Sequence, residues 1–161
     1  MKLLFGRNIK VWGWKDPRNV PTLPLWLDVF PDAKVIHIYR HGVDVANSLY
    51  VRNEKGNKVA LDNYNRARWL HRLLIKRGGF SHSLRCNSVE SAFDVWDEYM
   101  RAASKNTMCL NDNLLCIKYE DFLDKPNKYT RILADFCGLD ATDERISSIV
   151  KGVDKKRGLA Y

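Results

Sequence analysis

The sequence has few cysteines, and none of them stands in a metal-binding arrangement. Its four cysteines lie far apart, with no C-x-x-C pair and no histidine at the spacing of a zinc site: Cys86, Cys109, Cys116 and Cys137. This pattern excludes the common zinc modules and indicates a reduced compartment, so we expect no metal. Cys116 and Cys137 fall within apolar patterns, and we expect both to be core residues.

Long apolar runs are also missing. No stretch approaches the roughly 20 apolar residues that span a bilayer. The apolar start of the chain is interrupted at Gly6, which is too soon for a signal peptide. We therefore expect a soluble, cytoplasmic protein. The sequence has no internal repeat, and its 161 residues suit one compact unit, so we predict a single domain over residues 1–161.

Acidic residues are outnumbered by basic ones. The chain carries 27 Lys and Arg against 19 Asp and Glu, a formal net charge of +8. An apolar share of 45% and a charged share of 29% are typical of a folded protein. The charge predicts an anionic partner. A nucleic acid, an acidic polysaccharide and a multiply phosphorylated nucleotide would each satisfy it.

The residue pattern predicts strands that alternate with helices. Three segments are rich in β-branched or aromatic residues and are expected to be strands: residues 9–14, 34–39 and 114–118. Helical spacing of apolar residues occurs in six segments: residues 23–30, 42–52, 64–74, 93–103, 129–137 and 146–150. Gly78-Gly79 and Gly138 are expected to end two of these helices. The alternation favours an α/β layer with a mostly parallel sheet, in which the three strands lie side by side.

The strand-to-helix turn after residue 39 holds the main candidate for a binding site. In an open parallel sheet, ligands bind at the carboxyl ends of the strands, and Arg40 stands at such an end. Its planar guanidinium offers paired donors to a phosphate or another oxyanion. Ser48 lies two helical turns further on. The residue types alone also allow a surface cation at Arg40 and an ordinary helix residue at Ser48.

The run Val-Ile-His-Ile-Tyr-Arg-His-Gly-Val-Asp-Val-Ala-Asn-Ser-Leu, residues 35–49, resembles a known signature. It is similar to the 3'-phosphate-binding segment of sulfotransferases that use 3'-phosphoadenosine 5'-phosphosulfate (PAPS). The resemblance implies that Arg40 and Ser48 bind the 3'-phosphate of this co-substrate. Gly42 departs from the pattern, because many members have Pro there; glycine still permits the turn.

Two further segments resemble the same family in the same order. Upstream stands Lys15-Asp-Pro-Arg18, and downstream Cys116-Ile-Lys-Tyr-Glu-Asp-Phe122 precedes a helix. The resemblance places Tyr119 near the adenine, although a core aromatic at a strand end is an equal alternative. Lys156, Arg157 and Gly158 are similar to a late element that closes on the 3'-phosphate, and a solvated basic tail is their alternative. Residues 54–110 match nothing specific, and acceptor-binding helices would vary there.

The resemblance implies sulfonate transfer, in which an acceptor hydroxyl or amine attacks in line and charge builds on the leaving oxygen. Related enzymes place a lysine near the reacting sulfur, so Lys15 is the expected cation. Some relatives have a His or a Glu directly before that lysine as the base, but this chain has Trp14. Asp16 is a candidate base. An aspartate before proline is often only a turn former, which is its alternative role.

The Pro-x-Ser-Gly-Thr-Thr phosphate loop with which these enzymes open does not occur in the sequence, nor does a G-x-x-x-x-G-K-[ST] motif. The resemblance thus implies a P-loop-NTPase-like parallel sheet flanked by helices, with the first strand and the loop missing. We expect a partial domain that, on its own, transfers sulfonate very slowly or not at all. The sheet edge exposed by the missing strand is expected to favour a homo-oligomer.

Two other function classes compete with the enzyme. The first is a non-catalytic module that binds a 3'-phosphonucleotide or a sulfated glycan. The second is a nucleic-acid-binding protein, which would interleave basic and aromatic residues along one face. Here the basic residues are scattered and the aromatic residues follow core spacing. The sequence therefore disfavours a nucleic-acid partner.

Overall fold

The computed structural model describes residues 11–66 and 84–154, without the side chains of residues 63–66 and 84. In these ranges helices and strands follow one another as α1 (Asn19–Val29), β1 (Val35–Tyr39), α2 (Gly42–Arg66), α3 (Val89–Thr107), β2 (Leu114–Lys118), α4 (Tyr119–Asp124), α5 (Pro126–Phe136) and α6 (Asp143–Val150). Two short 3-10 turns, Leu84–Cys86 and Asn111–Asn113, precede α3 and β2. The described chain is therefore mixed α/β and rich in helix.

The sheet of the described residues has two strands, and they are parallel. Val35 pairs with Leu114, and the register runs on to Tyr39 opposite Lys118. Both strands coincide with predicted segments, which confirms them and their parallel direction. The residues between the strands include helices α2 and α3, as parallel neighbours require a long crossover.

The prediction of a strand at residues 9–14 is wrong for the part that the structure describes. Residues 11–14 form no strand, and residues 9 and 10 lie outside the described ranges. The tryptophans of this segment pack instead by their rings: Trp14 lies 4.9 Å from Trp26 of α1, and Trp12 lies 5.3 Å from Phe30. Ring packing on a helix thus replaces backbone pairing in a sheet.

Several helix bounds differ from the expected ones, and one helix was not expected. Helix α2 continues past the predicted end at residue 52 to Arg66, and the rest of the helix predicted for residues 64–74 lies outside the described residues. Helix α1 begins at Asn19, four residues before the predicted start. Helix α4 was not predicted, because its six residues are too few to show an apolar period. The helices predicted around residues 93–103, 129–137 and 146–150 are confirmed as α3, α5 and α6.

The described residues form two compact units. One contains residues 11–40 and 99–154, with the sheet, α1, α4, α5 and α6; the other contains residues 41–66 and 84–98, with α2 and the first half of α3. In the first unit Ile117 is the most deeply buried large side chain. In the second, Ala46, Cys86 and Ala92 form a small core. The single domain predicted over residues 1–161 stays a prediction.

Cysteine burial corrects one expectation. Cys116 is exposed and Cys137 is half-buried, although both were expected in the core. Side chains alternate between the faces of a strand, and the buried neighbour Ile117 takes the covered position on β2. The buried cysteine is Cys86, and all four cysteines are free thiols.

Gly138 ends α5 as the sequence predicts. Its φ is +67°, in the left-handed region that favours glycine. Its backbone N–H donates to the carbonyl of Asp135, and the next N–H, of Leu139, donates to that of Ala134. These bonds satisfy carbonyl groups at the end of α5, and the chain leaves the helix axis after Gly138.

Candidate functional site

The carboxyl end of β1 positions Arg40. Tyr39 is the last residue of β1 and pairs with Lys118, the last residue of β2. Both strands therefore end at the same edge of the sheet, and the residues that follow them, Arg40 and Tyr119, come together. This edge is where an open parallel sheet binds its ligands.

Side chains from the start of α4 surround the Arg40 guanidinium. Its central carbon lies 5.6 Å from the centre of the Tyr119 ring. Its Nε lies 4.0 Å from Oε1 of Glu120, which is an ion-pair distance and longer than a hydrogen bond. The side chains of Arg40 and Glu120 are 18% and 30% exposed. Arg40 is therefore a shielded cation held beside a ring and a carboxylate, and not the surface cation that the residue types also allowed.

Glu120 is the residue of this site that sequence reasoning missed. The resemblance of this segment to the family assigns a role to Tyr119 and none to Glu120. The residue pattern carries no signal for it, because its place beside Arg40 follows from the strand register. Tyr119 itself is half-buried at the first position of α4, directly after the end of β2, and its expected place near the adenine stays a prediction.

Ser48 lies on α2, in the other compact unit. Its side chain is half-buried, two residues after the fully buried Ala46. Leu49, the next residue, packs against the core of that unit. Ser48 is therefore more enclosed than a solvent-facing helix residue. Its expected pairing with Arg40 stays a prediction.

Close packing explains the glycine at the first position of α2. A Cβ on Gly42 would lie 2.7 Å from Cε2 of Phe93 and 2.8 Å from two ring carbons of Trp96. These rings belong to α3 and are 5.1 Å apart. No side chain fits there without moving an aromatic ring. The departure from the family's usual proline thus follows from packing, since a proline ring would need still more room.

A carboxylate clamp organises the turn that carries Lys15. The Asp16 carboxylate accepts hydrogen bonds from the backbone N–H of Arg18 at 2.9 Å and from the Arg18 Nε and Nη2 at 3.0 and 2.6 Å. The carbonyl of Asp16 accepts from the N–H of Asn19 at 3.0 Å, which leads into α1. Lys15 is exposed between these groups and the tryptophans.

The same clamp determines the acidity of Asp16. Hydrogen bonds from the Arg18 side chain, and then from its backbone N–H, hold the pKa of the Asp16 carboxyl far below its ordinary value. A carboxylate with so low a pKa is a weak proton acceptor near neutral pH. Asp16 therefore has the contacts of a turn former.

An aromatic cluster lies directly before the clamp. Trp14 lies 6.0 Å from Phe30 and stacks on Trp12 at 5.6 Å. Trp14 occupies the position at which some relatives have a basic or acidic side chain, and here it packs on α1 through Trp26. It therefore supplies anchoring to the turn and no proton-transfer group.

The remaining predicted residues lie outside the described part of the chain. They are Lys156, Arg157 and Gly158, which follow the last described residue, 154. Among residues 11–66 and 84–154, no cluster of His, Cys, Asp and Glu side chains is arranged to hold a metal ion. Within the same ranges, no helix has the length and apolar character to cross a membrane.

Comparison with known proteins identifies a family that the sequence matches. The model of a sulfotransferase family matches residues 4–144, well over half of the chain, and this range includes Lys15, Arg40 and Tyr119. No curated protein and no solved structure matches the chain. The matched range contains the strand-end arginine, the lysine turn and the segment that follows β2. The chain belongs to the sulfotransferase family.

Proposed function

We propose that the protein transfers a sulfonate group from PAPS to a hydroxyl or amine acceptor, and that Arg40 binds the 3'-phosphate of this co-substrate. One observation carries the proposal. A shielded guanidinium stands at the carboxyl end of a parallel strand, in a chain of the sulfotransferase family. A guanidinium in a shielded site attracts an anion more strongly than one in water, because the local dielectric constant is lower.

The proposal assigns further residues to the nucleotide. Ser48 is a second donor to the 3'-phosphate, and Lys156, Arg157 and Gly158 close over it. Tyr119 lies at the edge of the adenine, and its ring supports Arg40 at the same time, as their 5.6 Å contact indicates. A cation at this distance from an aromatic ring is held over the ring face.

The reaction requires one bond to form and one to break. The acceptor oxygen or nitrogen attacks the sulfur of PAPS while the bond from sulfur to the 5'-phosphate oxygen breaks. The electron pair stays on that oxygen, and the acceptor loses its proton to a base. In our proposal Lys15 stabilises the charge on the leaving oxygen. Lys15 is exposed and thus accessible to the nucleotide.

We assign Asp16 to the turn and not to proton transfer. Its carboxylate accepts four hydrogen bonds from Arg18, and its lowered pKa disfavours proton uptake. The clamp fixes the backbone on both sides of Asp16, and so fixes the point from which the Lys15 side chain extends. The base for the acceptor is then a different group.

Transfer of radiolabel from PAPS to a panel of alcohols, phenols, amines and sugars tests the proposal. We expect label to reach at least one acceptor, and we expect Arg40→Ala to raise the KM for PAPS at least tenfold. Binding of PAPS without transfer would favour the alternative of a non-catalytic module. Absence of both binding and transfer would refute the proposed function.

A further inference from the structure

We propose that Glu120 is a positioning residue that gives the nucleotide site its preference for a 3'-phosphate, acting through Arg40. This inference rests on the proposed function. It concerns how the arginine is oriented, which the assignment of Arg40 as the phosphate-binding residue leaves open. The sulfotransferase match does not itself assign a role to Glu120.

The fold brings the carboxylate to one edge of the guanidinium. Glu120 is the second residue of α4, which begins directly after β2, and the strand register sets this position beside the end of β1. Its Oε1 approaches Arg40 from the Nε edge at 4.0 Å. The other N–H donors of a guanidinium are on its terminal nitrogens, away from Nε. A carboxylate on the Nε edge therefore orients the terminal nitrogens as a fork.

Tyr119 restricts the remaining freedom of the group. Its ring lies against the guanidinium at 5.6 Å, and it precedes Glu120 in the chain. The ring limits movement of the guanidinium on one side, while the charge of the Glu120 carboxylate attracts its Nε. Two neighbouring residues at the start of one helix thus flank the side chain of a residue that follows a strand about eighty residues earlier in the sequence.

The charge of Glu120 also has an opposing effect. A carboxylate near a phosphate site repels the phosphate, so removal of the charge alone would strengthen nucleotide binding. Removal of a positioning group would weaken it, because a bidentate contact depends on orientation. Arg40 is 18% exposed, and in such a shielded place the loss of its carboxylate partner costs more than it does on the surface. We therefore expect the orientation effect to exceed the repulsion.

Calorimetric titration with 3'-phosphoadenosine 5'-phosphate (PAP) and with AMP, which lacks the 3'-phosphate, tests the inference. We expect Glu120→Gln to weaken PAP binding about tenfold, by analogy with outer partners of metal ligands. AMP binding should change little. Asp121→Asn is the matched control, since it removes the same charge from the next, exposed residue of α4 and should leave both affinities unchanged.

The Arg40→Ala background separates this inference from the proposed function. There, Glu120→Gln should have no further effect on the ratio of PAP to AMP affinity, because the residue acts through Arg40. If Arg40→Ala leaves that ratio at its wild-type value, the assignment of Arg40 fails, whatever Glu120 does. If Arg40→Ala lowers the ratio but Glu120→Gln does not, only the role of Glu120 fails.

Two other results would also overturn the inference. An equal loss of PAP and AMP affinity in Glu120→Gln would show a general structural role, and tighter PAP binding would show that repulsion dominates. If Glu120→Gln does not fold, Glu120→Asp is the second variant, because it keeps the charge on a shorter side chain. We expect it to lose part of the preference for PAP over AMP; an unchanged preference in a folded Glu120→Asp protein would count against positioning.

Discussion

The two cationic regions of the proposed site, Arg40 and the Lys15–Arg18 turn, are built in different ways. Arg40 is held by Tyr119 and Glu120, which come from a distant part of the chain, whereas Asp16 is held by a residue two positions away. Arg40 is 18% exposed, and Arg18 is 83% exposed. One region depends on the pairing of two strands, and the other is a local turn that needs only its own residues and an aromatic anchor.

This difference determines what each region can do. A shielded cation fixed by distant residues is preorganised for a particular anion, and its interactions are only weakly screened by salt. An exposed ion pair contributes little by itself, because solvent screens it and its side chains lose freedom. The clamp therefore acts by fixing the backbone of the turn, whereas the strand-end site acts through the charge of Arg40. The predictions below test this contrast, from the largest expected effect to the smallest.

Removal of the exposed lysine should have the largest effect on catalysis. We expect Lys15→Ala to lower kcat about a hundredfold or more while the Kd for PAPS changes much less, since the charge on the leaving oxygen develops only as the sulfonate is transferred. Single-turnover assays with PAPS and calorimetry with PAPS in the absence of an acceptor measure the two quantities. Lys151→Ala, an exposed lysine after α6, is the control. A loss of PAPS affinity equal to the loss of kcat would mean that Lys15 only binds the nucleotide.

A methyl group at the helix start after Arg40 should destabilise the fold. Gly42→Ala places a Cβ 2.7 Å from Phe93, and such overpacking costs about 1–3 kcal/mol of unfolding free energy. Gly13→Ala is the matched control in the other region, where a Cβ would meet nothing within 4 Å. Urea titrations of both variants measure the difference. Equal stability of the two variants would show that the strand-to-helix turn is no more constrained by packing than the tryptophan segment.

Replacement of the clamp carboxylate should have a smaller effect than loss of a catalytic base. Asp16→Asn keeps the oxygen that accepts from the Arg18 N–H, so we expect kcat to fall much less than the roughly hundredfold typical of a lost base. Asp16→Ala, which lacks that oxygen, should fall further. The pH dependence of kcat should be the same in Asp16→Asn and in wild type. Asp16 would be the base if two results were found together. The fall of kcat at low pH would be absent from Asp16→Asn but present in wild type, and kcat would be equally low in Asp16→Asn and Asp16→Ala.

The smallest expected effect concerns a histidine within the sheet. Burial on β1 lowers the pKa of His37 from its ordinary value of 6.5. The unfolded chain therefore binds a proton more readily than the folded chain, and stability falls as the pH drops below about 6.5. Urea titrations at pH 7 and pH 5.5 should show a smaller acid destabilisation in His37→Gln than in wild type. An identical change in both proteins would show that His37 does not contribute to it.

Local pattern was sufficient for most of the fold. Both strands of the described sheet and the apolar faces of α3 and α5 follow from residue spacing, and Gly138 follows from the conformation that its position requires. The third strand failed because Trp12 and Trp14 suit a strand by propensity, whereas Trp14 packs on Trp26 of α1 and Trp12 packs on Phe30, directly after that helix. Propensity alone does not show which partner an aromatic side chain will find.

The residues of the candidate site likewise fall into those that the sequence identifies and those that only the structure identifies. Arg40 and Lys15 were found through motif order, which is information along the sequence. Glu120 was missed because its importance comes from the strand register, which brings it to Arg40 across the sheet. The restraint on Asp16 was likewise hidden, since an Asp-Pro-Arg sequence does not show that the arginine turns back onto the carboxylate. Contacts of this kind require coordinates.

The most direct test of the central claim is the phosphorus NMR spectrum of PAP, whose two phosphate groups give separate signals, during titration with the protein. Wild-type protein should shift both signals, and the Arg40→Ala variant, at concentrations that still bind the nucleotide, should shift the 5'-phosphate signal as wild type does but the 3'-phosphate signal much less. Such a result would identify Arg40 as the partner of the 3'-phosphate. An equal shift of the 3'-phosphate signal with both proteins would contradict the account.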